Sequence, residues 1–288
     1  MRHHAPEIGF PTNFSILDRA DAEDIVQVIR KHLGFHKAEL RFPKKKAILD
    51  CISKSINTGK PITQILESDY QHFSQFSQEI EKIAADYKAY KQERFVMDYD
   101  DLLSYLQQLL VQKNSTDEPV GAAFDYILVD EYQDTNHMQA NIVRALAIRN
   151  QNVMAVGDDA QSIYSFRGAN VANIMKFPDL FRGTKIVKLE ENYRSTQSIL
   201  ELTNAMIAKA RHQYAKALYS SIKSEQKPIY VEARSENEQS QFICQKILEL
   251  REEGVPLNEI AVLFRSSTHA NDLEIELQSR NIHFVKYG

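Results

Sequence analysis

The spacing of hydrophobic positions changes near residue 120. Before that point, apolar residues recur every three or four positions, as on one face of a helix, for example at Ile25, Val26 and Ile29. This pattern predicts helices over residues 21–33, 43–56, 70–94 and 101–112, with Gly34 placed to end the first. It predicts no central strand in this part of the chain.

Beyond residue 120, short apolar runs alternate with helical stretches. The runs predict strands at residues 126–129, 153–156, 185–189, 229–233, 260–264 and 283–285. The helical stretches include residues 197–210, 236–251 and 268–280. Short apolar strands joined by helices indicate an α/β fold with a parallel sheet covered on both faces, and ligands of such sheets bind at the carboxyl ends of the strands.

Composition narrows the class of protein only slightly. The 288 residues leave room for two domains, and 43% hydrophobic with 26% charged residues is typical of a soluble globular protein. The formal charge of −4 does not exclude nucleic acid, because a large enzyme needs positive charge only along its channel. The chain has no apolar run long enough for a membrane span, no signal-peptide core and no disulfide framework, so we predict a cytoplasmic protein without a membrane partner.

Two of the predicted strands end in carboxylates. Asp130 and Glu131 close the run at 126–129, and Asp158 and Asp159 follow the run at 153–156. Because the carboxyl ends of parallel strands meet at one edge of a sheet, we expect these side chains to lie together. Mg²⁺ takes one or two carboxylates plus substrate phosphates, so the pattern favours a nucleotide hydrolase. A buried strand that meets a solvated turn gives the same short pattern, and the surrounding sequence has to decide.

Three ordered blocks carry the more specific signal. They read ILVDEYQDT from Ile127, VGDDAQSIYSFRGA from Val156 and LEENYRS from Leu189. In this order and spacing they closely resemble motifs II, III and IV of the UvrD/Rep/PcrA-type superfamily 1 DNA helicases. Residues 9–18 and 98–103 resemble the entry to and exit from the family's helical 1B subdomain, and residues 260–266 resemble a strand of its second motor domain.

This resemblance implies a fold and a domain order. The expected fold is α/β, with the parallel sheets of a RecA-like P-loop NTPase, incomplete here, and an all-helical 1B subdomain. Residues 1–95 would form the 1B-like subdomain. Residues 96–190 would be the later part of motor domain 1A with motifs II and III, and residues 191–288 the first part of motor domain 2A with motif IV.

The resemblance also implies roles at an ATP and Mg²⁺ site. Asp130 and Glu131 would bind Mg²⁺, and Glu131 would also orient and deprotonate the attacking water. Gln161 would sense the γ-phosphate, and Tyr193 would lie against the adenine ring. Arg194 would act as an arginine finger, since a planar guanidinium can bind two phosphate oxygens at once.

Single-stranded DNA is the partner that the resemblance implies, with 3′→5′ translocation. Tyr164 and Phe166 would stack on successive bases, and Arg167 and Arg265 would contact phosphates. The family commonly has Trp at the position of Phe166, so we expect a weaker grip with function retained. The alternatives are that both aromatic residues belong to the core and that both arginines are ordinary surface residues.

The chain lacks the phosphate-binding loop that a motor of this kind needs. That loop has the pattern G-x-x-x-x-G-K-[ST], whereas Gly59-Lys60 is followed by Pro61 and lies in helical sequence. We therefore expect a middle segment of the helicase, inactive alone. We also expect its sheet, deprived of a neighbouring strand, to be less protected from hydrogen exchange than the helical region.

Two other hypotheses remain open. The chain could be a non-catalytic protein that binds single-stranded DNA or a partner helicase, or it could be completed by another polypeptide that supplies the phosphate loop. A pure binding module has no need of Glu131, Gln161 and Arg194, so their presence favours the helicase segment.

Overall fold

The computed structural model describes residues 1–35, 42–113, 120–211 and 213–287. They form two compact units, the first made of Met1–Glu191 with Asn204–Leu218 and the second of Asn192–Thr203 with Tyr219–Gly288. None of the helices in the described ranges is long and apolar enough to cross a membrane.

The first unit contains most of the regular structure. Its α-helices are α1 (Arg19–His32), α2 (Lys45–Thr58), α3 (Ile62–Asp69), α4 (Ser77–Glu93), α5 (Tyr99–Lys113), α6 (His137–Leu146), α7 (Ala172–Met175) and α8 (Phe177–Leu180). Its strands are β1 (Ser15–Ile16), β2 (Val96–Met97), β3 (Ile127–Val129) and β4 (Val153–Ala155). Helix α9 (Gln197–Ile207) contains the division between the units, and α10 (Glu236–Glu252) and α11 (Asn271–Ser279) lie in the second.

Short 3₁₀ helices join many of these elements. They are Arg2–Ile8, Gln71–Phe76, Val120–Ala123, Tyr132–Asp134, Asp159–Gln161, Ser165–Arg167, Leu257–Glu259 and Ser267–Ala270.

Helices α1 to α4 enclose the largest apolar core of the first unit. Val26, Ile48, Leu66 and Ile83 are fully buried there, one from each helix. The four helices predicted before residue 120 are present, although the segment predicted at 70–94 begins as a 3₁₀ helix and α3 was not predicted. The expectation of no early strand holds only in part, because β1 and β2 form a two-residue parallel ladder.

A buried cluster of charges fastens α4 to the start of α5. The ammonium group of Lys91 lies 2.6 Å from a carboxylate oxygen of Asp98 and 2.6 Å from one of Asp101. The Tyr87 hydroxyl donates a 2.8 Å hydrogen bond to Asp98, and the Lys91 ammonium lies over the Tyr87 ring. Lys91 and Asp98 are almost fully buried, so one cation compensates two carboxylates out of contact with water.

Strands β3 and β4 run parallel and are covered on one face only. Their register pairs Leu128 with Met154, and these side chains are 73% and 56% exposed. The opposite face packs against a second core that contains Tyr132, Val143 and Phe177. The prediction of a sheet covered on both faces is therefore wrong for the described residues, as is the strand predicted at 185–189, which is not a strand.

The second unit is built around α10 and α11. Cys244, Ile247, Leu273 and Leu277 form its core. The strands predicted at 229–233, 260–264 and 283–285 are wrong, since none of these segments forms a ladder in the described part of this unit. Their apolar sequence was recognised correctly, but a strand also requires a hydrogen-bonded neighbour. In the segment at 260–264, Ile260 and Val262 pack against the core and Leu263 is 94% exposed.

Candidate nucleotide site

The acidic pair lies immediately beyond the end of β3. The pairing with β4 continues past the last strand residue, because Tyr132 N donates to Val156 O at 2.9 Å. Glu131 turns the chain with φ 49° and ψ 42°, in the left-handed region that side-chain-bearing residues rarely adopt. Both carboxylates of the pair, on Asp130 and Glu131, are exposed. Strain of this kind is typical of functional positions, where the rest of the fold compensates it.

Gln133 joins the two acidic strand ends. Its side chain is 1% exposed. The Gln133 Nε2 donates to Glu131 Oε2 at 2.7 Å, and its Oε1 accepts from Asp158 N at 3.0 Å. The acidic ends of the two strands were predicted to lie together, and the buried Gln133 amide links them by hydrogen bonds. Sequence reasoning gave Gln133 no role, although its position two residues after the acidic pair was visible.

Asp158 holds Gln161 in place. The Gln161 Nε2 donates to Asp158 Oδ2 at 2.9 Å, and Lys216 donates a short hydrogen bond to Asp158 Oδ1. Lys216 also lies 3.4 Å from Asp159. Burial alone would raise the pKa of Asp158, but the hydrogen bonds from Lys216 and Gln161 hold it below its usual value. Sequence reasoning missed Lys216, which is distant in sequence and carries no motif signal.

A cavity of about 470 Å³ unites residues of motifs II and III. Its lining residues are Glu131, Gln133, Asp134, Ala160, Gln161, Ile163 and Tyr164. Three residues predicted from sequence, Glu131, Gln161 and Tyr164, thus face one space in the first unit. In the described part of the chain no group of three or more His, Cys, Asp or Glu side chains is arranged to hold a metal. Mg²⁺ takes only one or two carboxylates beside water and phosphate, and Asp130 with Glu131 provides that donor set.

The predicted DNA-binding aromatic residues lie at the surface. Tyr164 is 38% and Phe166 is 65% exposed, so neither is a core residue. Their ring centroids are 6.0 Å apart and the rings are inclined at 50°. A 3₁₀ turn carries Phe166 and ends at Gly168, whose φ of 92° favours glycine. The side chain of Arg167 lies outside the described part of the structure.

The other predicted site residues belong to the second unit. Tyr193 is 76% exposed, and Arg194 and Arg265 are exposed. Asn192 shapes the turn that carries Tyr193 and Arg194, because its Oδ1 accepts from Arg194 N at 2.9 Å and from Ser195 N at 2.7 Å. An asparagine side chain that binds the backbone two and three residues ahead is a common way to fix such a turn.

Comparison with known proteins assigns the family. Residues 1–182 match the UvrD/REP helicase N-terminal domain, and residues 187–288 match the UvrD-like helicase C-terminal domain. The chain is 30% identical over 291 residues to the ATP-dependent DNA helicase PcrA of Staphylococcus epidermidis and 29% identical over 289 residues to that of Staphylococcus aureus. All of this chain is covered in both comparisons, and it spans 39% of the length of each relative. The chain belongs to the UvrD/REP helicase family.

Proposed function

We propose that this chain is a segment of an ATP-dependent DNA helicase that moves 3′→5′ on single-stranded DNA. The observation that carries the proposal is the cavity lined by Glu131, Gln161 and Tyr164, because it supports a site in which the residues proposed for hydrolysis adjoin one proposed for DNA binding. Family membership implies the use of ATP and Mg²⁺. We retain the division into a 1B-like helical subdomain at 1–95, a RecA-like 1A part at 96–190 and a 2A part at 191–288.

The geometry around Glu131 suits a general base. The Gln133 amide binds Oε2 and fixes the carboxylate, so that Oε1 can accept a proton from an attacking water. Asp130 follows β3 directly and would hold Mg²⁺ beside it. When bound, that ion would neutralise charge on the phosphate oxygens. The left-handed backbone of Glu131 sets the direction in which its carboxylate leaves the strand.

The side-chain amide of Gln161 is engaged by a hydrogen bond to Asp158. To reach a γ-phosphate, the Gln161 amide would exchange Asp158 Oδ2 for a phosphate oxygen. Lys216 keeps Asp158 ionised, and an ionised carboxylate is a strong hydrogen-bond acceptor. The Gln161 amide would therefore bind Asp158 again when the phosphate leaves. In the second unit, Tyr193 would contact adenine and Arg194 would supply the arginine finger.

The exposed rings of Tyr164 and Phe166 would bind single-stranded DNA. Stacking of a base on an aromatic ring contributes roughly 1–3 kcal/mol and tolerates any base, as a translocating motor requires. We propose that Arg167 and Arg265 contact phosphates. We expect little ATP hydrolysis by the chain alone, since the pattern G-x-x-x-x-G-K-[ST] does not occur in its sequence.

Titration of a fluorescent oligo-dT strand tests the DNA-binding part. Phe166→Ala should weaken binding by about 5- to 150-fold, corresponding to the loss of one stack. Tyr230→Ala is the matched control, because that ring is 87% exposed in the second unit and has no proposed role. Equal affinity of the two variants would overturn the assignment of the aromatic pair.

DNA-stimulated ATP hydrolysis, with Glu131→Gln as the control, tests the catalytic part. Negligible turnover of the chain supports an incomplete site. Turnover that Glu131→Gln abolishes would mean that the chain, or another polypeptide bound to it, completes the site. DNA binding that ATP never alters would instead favour the non-catalytic binding protein.

A further inference from the structure

Two segments of the candidate site meet at one buried polar junction. The first follows the acidic pair and ends at Thr135 and Asn136; the second follows the aromatic turn and includes Asn170 and Asn173. Thr135 O accepts hydrogen bonds from Asn170 N at 3.0 Å and from Asn173 Nδ2 at 2.9 Å. Asn136 O also accepts from Asn173 Nδ2, at 3.1 Å. Asn136 and Asn173 are buried, so these bonds are shielded from competing water.

Asn57, in the last turn of α2, ties this junction to the helical region. Its Oδ1 accepts from Asn136 Nδ2 at 2.6 Å, and its Nδ2 donates to Asp100 Oδ1 at 2.7 Å and to Ser53 O at 2.9 Å. The amide oxygen of Asn57 therefore binds the candidate site, and the amide nitrogen binds the start of α5. The same residue also lies beside the aromatic turn, since a Cβ added to Gly168 would be 3.7 Å from the Cβ of Asn57.

We propose that Asn57 is a positioning residue that couples the aromatic turn to the carboxylate end of β3. Single-stranded DNA bound on Tyr164 and Phe166 would bear on Gly168 and Asn170. Asn57 and Thr135 hold the neighbouring backbone through hydrogen bonds. A shift of the aromatic turn on DNA binding would therefore also shift the turn of Asp130 and Glu131. This inference rests on the proposed DNA binding, although its structural part can be tested without DNA.

The amide chemistry supplies a discriminating variant and a rescue. Asn57→Asp keeps the acceptor for Asn136 and nearly the same shape, but places a second carboxylate against Asp100. Asn57→Asp combined with Asp100→Asn reverses donor and acceptor and restores the original net charge. Asn237→Asp, at an exposed position in the first turn of α10, makes the same change of charge in the second unit and serves as the control.

Amide hydrogen exchange of the whole chain, read by mass spectrometry, provides the test. Asn57→Asp should accelerate exchange about tenfold in both residues 130–136 and residues 164–170, because repulsion from Asp100 displaces the side chain of residue 57 and weakens its hold on both segments. Exchange in α10 and α11 should stay unchanged. The reversed pair should recover most of the protection, and Asn237→Asp should leave both segments as they are in the original chain.

Oligo-dT adds the coupling measurement. In the original chain it should protect residues 164–170 and also residues 130–136, whereas in Asn57→Asp it should protect only the first segment. The proposal is overturned if Asn57→Asp alters neither segment without DNA, or if DNA still protects residues 130–136 in that variant. If oligo-dT does not bind the original chain, the proposed function and the coupling fail together. The DNA-free comparison then decides whether Asn57 positions the two segments.

Discussion

Lys91→Met would remove the ammonium group that lies against two buried carboxylates. Asp98 and Asp101 each lie 2.6 Å from the Lys91 ammonium, and the side chains of all three residues are at most 13% exposed. Methionine keeps most of the apolar stem, so the change removes the charge and little packing. Breaking a buried ion pair by removal of one partner costs roughly 3–5 kcal/mol, because the remaining charge is buried uncompensated.

The cost of Lys91→Met should depend on pH with a definite sign. In the original chain, burial opposes ionisation of Asp98, but Lys91 outweighs it and lowers the pKa of that carboxyl. Asp98 therefore contributes stability above its unfolded pKa, and this is lost as pH falls through its folded pKa. Burial and the charge of Asp98 already raise the pKa of Asp101. Without Lys91 we expect both folded pKa values to lie above the unfolded value. The loss of stability caused by Lys91→Met then grows as pH rises and shrinks as pH falls and the two carboxyls take up protons.

The two cysteines allow the two units to be measured separately. Cys51 is 1% exposed in the core of α1 to α4, and Cys244 is 0% exposed in the core of the second unit. Burial raises the pKa of Cys51 to about 12, so its thiol should react only after local opening. At pH 8, Lys91→Met should accelerate labelling of Cys51 by about a hundredfold or more, since 1.4 kcal/mol corresponds to a factor of ten. Labelling of Cys244 should not change.

Lys88→Met is the matched control, because Lys88 is an exposed lysine on the same helix. Rates are compared after correction for the labelling rate of the unfolded chain at each pH. If Lys91→Met labels Cys51 no faster than Lys88→Met, the buried cluster does not stabilise this core. If Lys91→Met accelerates Cys51 labelling by the same factor at pH 5 and at pH 8, the two carboxylates are not the cause of the lost stability.

Three further predictions concern the candidate site. Lys216→Met should raise the pKa of Asp158, measured by the pH titration of its carboxyl carbon in NMR spectra; an unchanged pKa would show that Lys216 does not hold it down. Phe166→Trp should tighten oligo-dT binding severalfold through a larger stacking face, and as the only tryptophan of the chain it should report binding by fluorescence quenching; weaker binding would contradict the stacking role. Gly157→Ala should accelerate exchange of the Asp158 amide about tenfold, because the new Cβ would lie 2.5 Å from Gln133 Oε1 and displace that acceptor; unchanged exchange would show that Gln133 adapts without losing the bond.

Helices were predicted well because their signals are local. The apolar spacing that defines α1 lies within one stretch of sequence, and so does its N-cap, Asp18, which accepts a 2.8 Å hydrogen bond from Asp21 N. Strands depend on partners elsewhere in the chain. The runs at 185–189 and 260–264 have strand-like composition, yet neither is a strand in the described residues. An apolar run therefore indicates an extended segment, and only pairing makes it part of a sheet.

In the candidate site, too, residues in local motifs were recognised and residues that act through distant contacts were not. Glu131 and Gln161 could be predicted because a motif places them, and the cavity brings them together. Gln133, Lys216 and Asn57 could not be assigned a role, since each acts through a hydrogen bond to a side chain or backbone group that the fold brings near. The roles of Glu131, Gln161, Tyr193 and Arg194 all stay predictions.

The left-handed backbone at Glu131 disfavours glutamate for folding, whereas the proposed reaction requires a carboxylate at this position. Asparagine and glycine adopt φ near 50° more readily than glutamate, and relief of this strain is worth roughly 1 kcal/mol. A library randomised at this residue and selected only for thermal resistance should therefore enrich Asn or Gly. The same library selected for ATP turnover in a complete motor should return Glu. Asn or Gly from the first selection and Glu from the second would show that this turn keeps a strained residue for the reaction and not for folding.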